Sequence, residues 1–169
     1  MSETTTTGAP VTTLPLTVNL QYIKDLSFEV PGGPQIFTQL RTSPQVNINM
    51  DVQARRLQEG QQVFEVALLV RAEANLPPGG NGQEAAAKQP IFIAELTYAG
   101  VFTLGAIPDN AVEPVLLVEC PRLLFPFARN IVSDITRDGG FPPVLLAPID
   151  FVALWQSRRS QITPSPALA

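Results

Sequence analysis

The stretch from Glu119 to Phe151, ECPRLLFPFARNIVSDITRDGGFPPVLLAPIDF, restricts what this chain can fold into more than any other. Pro121 stands where a helix can begin, since a first-turn residue has no N–H to lose, and Gly139-Gly140 follow the last polar turn. On a helical wheel Leu124, Ala128, Ile131 and Ile135 share one stripe, flanked by Phe127 and Val132, with Arg122, Arg129, Ser133 and Arg137 opposite. Pro126 removes one backbone donor and crowds the Arg122 carbonyl, which predicts a kink or a restart. After the glycines, Phe141 to Pro148 is apolar and too rich in proline to be helical. Such a loop either tucks under a domain or presents an apolar binding surface.

Upstream of this stretch the hydrophobic period is two. Val18, Leu20, Tyr22, Leu26, Phe28 and Val30 alternate with Asn19, Gln21, Asp25, Ser27 and Glu29, interrupted at Ile23-Lys24. Val46, Ile48, Met50 and Val52 alternate with Asn47, Asn49, Asp51 and Gln53, as a strand with one wet face should. Phe64 to Glu73 and Phe92 to Leu104 repeat the pattern. Pro31 to Pro34, Glu59-Gly60 and the long Pro77 to Gly82 run supply the turns. Four such strands in series predict an antiparallel sheet.

Beyond Pro108 the period changes to that of helices. Asp109 or Asn110 is placed to cap a segment reaching Val118, the main helix follows from Pro121, and Ile149 to Arg159 makes a last one. Strands first and helices afterwards is an α+β order: a four-stranded antiparallel sheet, a long kinked helix, an apolar Pro-rich loop and a C-terminal helix. Residues 1–15, rich in Thr, read as a disordered tail, 16–160 as one domain and 161–169 as a flexible tail.

Composition excludes more than it proposes. At 169 residues and 45% hydrophobic the chain can bury a core. Its net charge of −4, with scattered basic residues, leaves no phosphate-binding footprint, so nucleic acid is not an expected partner. With no histidine, the commonest general base and a leading metal ligand are both missing. Cys120 is the single cysteine, with no cation cluster to activate it, and reads as structural. Ser133-Asp134 do not face one another on a helix, and the glycine runs lack nucleotide-binding spacing. No catalytic residue, metal or cofactor is expected. The start, MSETTTTGAPVTTLP, lacks the charged and apolar parts of an export signal, and prolines and charges break every candidate membrane span. A cytoplasmic protein without direct membrane insertion is expected.

CPRLLFPFARNIVSDITRDGGFPPVLLAPIDFVALW resembles the C-terminal signature of the SecB family of bacterial export chaperones, and QYIKDLSFEVP resembles that family's first strand. The similarity runs from about Gln21 to Trp155 in the same order. The tail, ending in ALA, and the long Pro77 to Pro90 insertion depart from the family.

The resemblance implies a chaperone that binds unfolded preproteins, keeps them competent for translocation and delivers them to the export motor SecA. It implies SecA contacts at Asp25, Glu29, Ile93 and Glu95, and a homotetramer, a dimer of dimers, with subunit contacts at Ala94, Leu96 and Tyr98. The apolar face of the main helix, Leu124, Ala128 and Ile131, is expected at the same interface, because one sheet and two helices leave much apolar surface to cover. For the client groove the loop and the family's own groove together suggest Phe141, Val144, Leu146 and Phe151, with Val46 and Ile48 on the second strand. Two alternatives stay open: a SecB-like chaperone dedicated to a single partner such as an antitoxin, and a carrier of a small apolar ligand.

Overall fold

A computed structural model describes residues 15–40, 43–76 and 90–162 of the chain. Four strands, β1 (Leu16–Glu29), β2 (Gln45–Arg56), β3 (Val63–Asn75) and β4 (Phe92–Leu104), form one antiparallel sheet in the order β1-β4-β3-β2. The expected Pro77 to Pro90 insertion lies almost wholly outside the described residues, as do most of both tails.

Alternation sorts the two faces of the sheet. On β3 and β4 the even-numbered side chains, among them Val66, Leu68, Val70, Leu96 and Phe102, are buried under the helices. On β1 the alternation misleads. Bulges at Asn19 and Lys24 each insert one unpaired residue, so Leu20 pairs with Val101 and Tyr22 with Ala99 on the helix-free face, while Ile23 turns to the helix side opposite Tyr98. The break at Ile23-Lys24 is the second of these bulges.

A short helix, α1 (Gln35–Gln39), follows β1; it escapes the sequence reading because five residues carry too little period. After β4 the helical region runs continuously through α2 (Asp109–Pro114), a π-helical turn at Val115–Glu119 and α3 (Cys120–Asp138). Neither Asp109 nor Asn110 caps α2; Pro108 stands at its N-cap without a side-chain bond. The expected restart at Pro126 does not occur, since α3 continues through it. The irregularity falls earlier. Pro121 offers no N–H to the carbonyl four residues back, and the Cys120 N–H reaches five residues back to Val115 O.

The buried row of α3 is Cys120, Leu124, Ala128, Val132 and Thr136, a strict four-residue ridge lying on β4 and β3. Ile131 and Ile135 flank this row half-buried, so the stripe lies one position from where the wheel places it. The last helix, α4 (Phe151–Ile162), starts where Asp150 Oδ1 accepts the Ala153 N–H at 3.0 Å, and it reaches two residues into the expected tail. Trp155 Nε1 donates to Glu113 of α2 at 3.1 Å.

Candidate functional site

The loop between α3 and α4 is positioned by the way α3 ends. Gly140 takes φ +91°, its N–H donates to Arg137 O at 3.0 Å and the Phe141 N–H to Thr136 O at 3.1 Å, a Schellman closure that only glycine adopts without strain. The closure turns Phe141 back beneath the helix end. There it packs on Phe92 at 4.9 Å and Phe37 at 5.0 Å between ring centroids, with Phe28 beside Phe92 at 5.4 Å. Three residues on, the Val144 N–H donates to Thr136 Oγ1 at 2.9 Å, and that hydroxyl donates to Val132 O. Thr136 is fully buried, and it ties the loop to the helix. Sequence reasoning passes over it, because a threonine near a helix end carries no signal of a loop anchor.

Val46, Ile48 and Val144 do meet. They line an open cleft of about 290 Å³ together with Ser43, Pro44, Phe92, Pro142, Pro143 and Leu145. Leu145, absent from the expected set, is 69% exposed and is the most prominent apolar side chain of the wall. The other three expected groove residues lie elsewhere. Phe141, Leu146 and Phe151 are buried in the chain's own core, Phe141 in the aromatic cluster and Leu146 and Phe151 beneath α3, where Phe125 meets Phe151 edge-on. A proline-rich loop has no period, so its apolar residues cannot be sorted into core and groove from sequence.

The opposite, helix-free face of the sheet carries Asp25, Glu29, Ile93 and Glu95. Glu29 pairs with Ile93 in register, Ser27 with Glu95 and Asp25 with Thr97, so the four side chains cluster across β1 and β4. Glu95 is ion-paired with Arg71 of β3, which also binds Glu73 at 3.0 Å. Arg71 holds the Glu73 carboxyl below the usual range, chiefly by hydrogen bonding. Among the described residues Asp25 and Glu29 have no cationic partner. Beside them a cleft of about 330 Å³ is lined by Asp25, Asn49, Asp51, Leu69, Arg71, Glu95 and Thr97, among others. The face is acidic where it meets β1 and mixed in charge further in.

Further along this face Glu65, only 5% exposed, accepts from Tyr22, from Lys24 at 2.6 Å and from Arg55 at 3.0 Å. The Arg55 guanidinium, with Lys24 and Tyr22 adding to it against the cost of burial, holds its carboxyl down at about 2.

The residues expected at subunit contacts lie largely inside the single chain. Ala94, Leu96, Tyr98, Leu124 and Ala128 are buried within the chain and Ile131 is half-buried, because α3 lies directly on this face of β4. The helix stripe and the sheet face cover each other, which is why both look unpartnered when read separately. Apart from the cleft wall, exposed apolar side chains include Val18, Leu20, Ile23 and Leu26 on the β1 edge and Leu123 and Phe127 on the flank of α3. Phe127 stacks on Tyr98 at 6.0 Å.

Cys120 is fully buried in the ridge, and burial pushes its thiol up to about 12. Among the described residues no cluster of His, Cys, Asp and Glu could hold a metal ion, and no helix is long and apolar enough to cross a membrane.

The family model described as Preprotein translocase subunit SecB matches residues 11–162. The chain belongs to the SecB family. The Protein-export protein SecB of Acidiphilium cryptum is 66% identical over 87% of this chain and 90% of its own length. The Protein-export protein SecB 1 of Gluconobacter oxydans is 60% identical over 99% of this chain and 98% of its own, and that of Granulibacter bethesdensis 62% over 95% and 92%. A SecB-like chaperone from Mycobacterium tuberculosis, solved in complex with an antitoxin peptide, shares the fold with a TM-score of 0.58 at 12% identity, over 80% of this chain and 91% of that one. With SecB relatives this similar along most of its length, the chain is a protein-export chaperone.

Proposed function

We propose that the chain works in the cytoplasm, where it holds unfolded precursor proteins in the cleft between β2 and the 142–145 loop and delivers them to the motor SecA through the opposite face of the sheet. The observation that carries this reading is the arrangement of the cleft. Val46, Ile48, Phe92, Val144, Leu145 and three prolines line an open cleft in which Ser43 is the one polar side chain and no charged side chain takes part. Such a surface accepts apolar side chains of any sequence and lacks the charged side chains that would fix the orientation of a small ligand. Each leucine-sized side chain buried there contributes about 1.5 to 3 kcal/mol, so several weak contacts on an oligomer hold a long client while a folded protein, its own leucines hidden, is passed over. This favours a client groove over a small-ligand site.

The motor surface comprises Asp25, Glu29, Ile93 and Glu95, a half-buried apolar residue beside carboxylates of which Asp25 and Glu29 are exposed. Because this patch and the cleft occupy opposite faces of one sheet, a client in the cleft does not cover it. The assembly we propose is a homotetramer, a dimer of dimers, closed through the open β1 edge and the α3 flank rather than through the buried stripe.

The test is whether the protein arrests refolding of a denatured precursor, and whether the D25K/E29K variant keeps that arrest while losing SecA. Failure of arrest removes the chaperone reading; unchanged SecA affinity removes the acidic patch.

A further inference from the structure

β2 is an edge strand, and one side chain interrupts its free edge. Arg158 of α4 starts on the helix side of the sheet, donates from Nη1 to Val52 O at 2.6 Å and lies 2.7 Å from Oδ1 of Asp51. Asp51 is an odd-numbered residue of β2 and faces the helix-free side, so the guanidinium wraps around the edge from one face to the other.

The hydrogen-bond phase of the strand fixes what this contact does. At the hairpin the Leu57 N–H donates to Val63 O, which places odd-numbered residues of β2 in bonded pairs with β3. The backbone N–H and C=O of Val46, Ile48, Met50, Val52 and Ala54 therefore point outward, where among the described residues the sheet has no further strand. Val46 and Ile48 also send their side chains into the apolar cleft. An extended polypeptide laid there meets backbone donors and acceptors on one side and apolar subsites at two-residue spacing on the other. Every sequence carries that backbone, so such an edge is permissive. It is also a hazard, since an uninterrupted free edge templates open-ended strand association.

We propose that Arg158 is the stop of this edge. An unfolded client backbone pairs with the outward groups of β2 from Val46 to Met50, and Arg158, occupying the Val52 carbonyl and anchored by Asp51, ends the pairing there. The inference rests on the client-groove reading above and adds to it a register and a specificity-determining residue.

Amide hydrogen exchange, resolved to single residues, tests it on the full chain with reduced, carboxymethylated lysozyme as the unfolded probe. Saturating probe should slow exchange of the Ile48 and Met50 amides by about tenfold or more and leave Ala54 unchanged. In Arg158→Met, which keeps the aliphatic stem against the sheet, protection should spread to Val52 and Ala54. Asp51→Asn, which removes only the anchor, should spread it less. If probe binds and Ile48 and Met50 stay unprotected, strand addition is wrong. If Ala54 is protected in the unaltered protein, or protection fails to spread in both variants, Arg158 is not a stop. If no probe binds, the chaperone reading fails instead, and with it this one.

Discussion

Lys24 of β1 donates to Glu65 of β3 at 2.6 Å although β4 lies between their strands. The bulge at Lys24 and the small residues Ala67 and Ala99 beneath leave room for Tyr22 and Lys24 to lie across β4. Arg55 of β2 closes the group from the other side, so one carboxylate gathers side chains from both edge strands. In an isolated sheet face this cluster pins the edges to the centre.

It also makes stability depend on acid in a defined window. The Glu65 carboxyl, ordinarily at 4.5, is held at about 2 in the folded chain, so its contribution is whole above about pH 4.5 and is lost as the pH falls towards 2. Glu65→Gln should lower stability by about 1.5 to 3 kcal/mol at neutral pH, the range for hydrogen bonds to a charged group. Denaturant titrations at pH 7 and pH 3 check this: the difference between the two proteins should shrink at the lower pH, and a pH-independent difference would count against the assignment.

Thr136→Val removes a hydroxyl without changing volume and leaves the Val144 N–H without its acceptor. A loss of about 1 to 3 kcal/mol is expected. Because the same bond fixes the cleft wall, client affinity should fall as well. Equilibrium unfolding and client titration on one preparation separate the two effects.

Phe141 and Leu145 should behave oppositely. Phe141→Ala opens a hole among Phe28, Phe37 and Phe92 and should cost about 3 to 5 kcal/mol in unfolding experiments. Leu145→Ser, at an exposed position, should leave stability within about 0.5 kcal/mol and weaken capture of unfolded chains. Equal destabilisation by both would mean the loop is core throughout.

Cys120, buried and with its thiol raised to about 12, should resist thiol reagents at pH 8 in the native protein and react on unfolding. Labelling rates against denaturant should follow the unfolding curve.

The strands, their order of faces on β2 to β4 and the long helix are legible in the sequence because alternation and the helical period persist over a dozen residues or more. β1 is not, since a bulge shifts the phase and leaves no mark in composition: Leu20 and Tyr22 read as core and lie on the other face. The signature around Pro121 to Pro148 points to the right region, but which of Phe141, Val144, Leu145 and Leu146 faces solvent depends on the closure at Gly140 and the bond to Thr136. Gly139 shows the same limit. It reads as a helix stop, yet a Cβ there would come within 2.2 Å of the Phe28 ring, so it also lets the helix end approach β1. The residues read as subunit contacts show the limit once more: two apolar stripes counted separately each look uncovered, and only the tertiary structure shows that they cover one another.

The most direct measurement is the methyl NMR spectrum of the protein titrated with an unfolded precursor. The account predicts that Val46, Ile48, Val144 and Leu145 shift or broaden on binding while Leu68 and Leu124, sealed between sheet and α3, stay in place. Binding that leaves those four unperturbed would contradict the groove, and a precursor that does not bind at all would contradict the function.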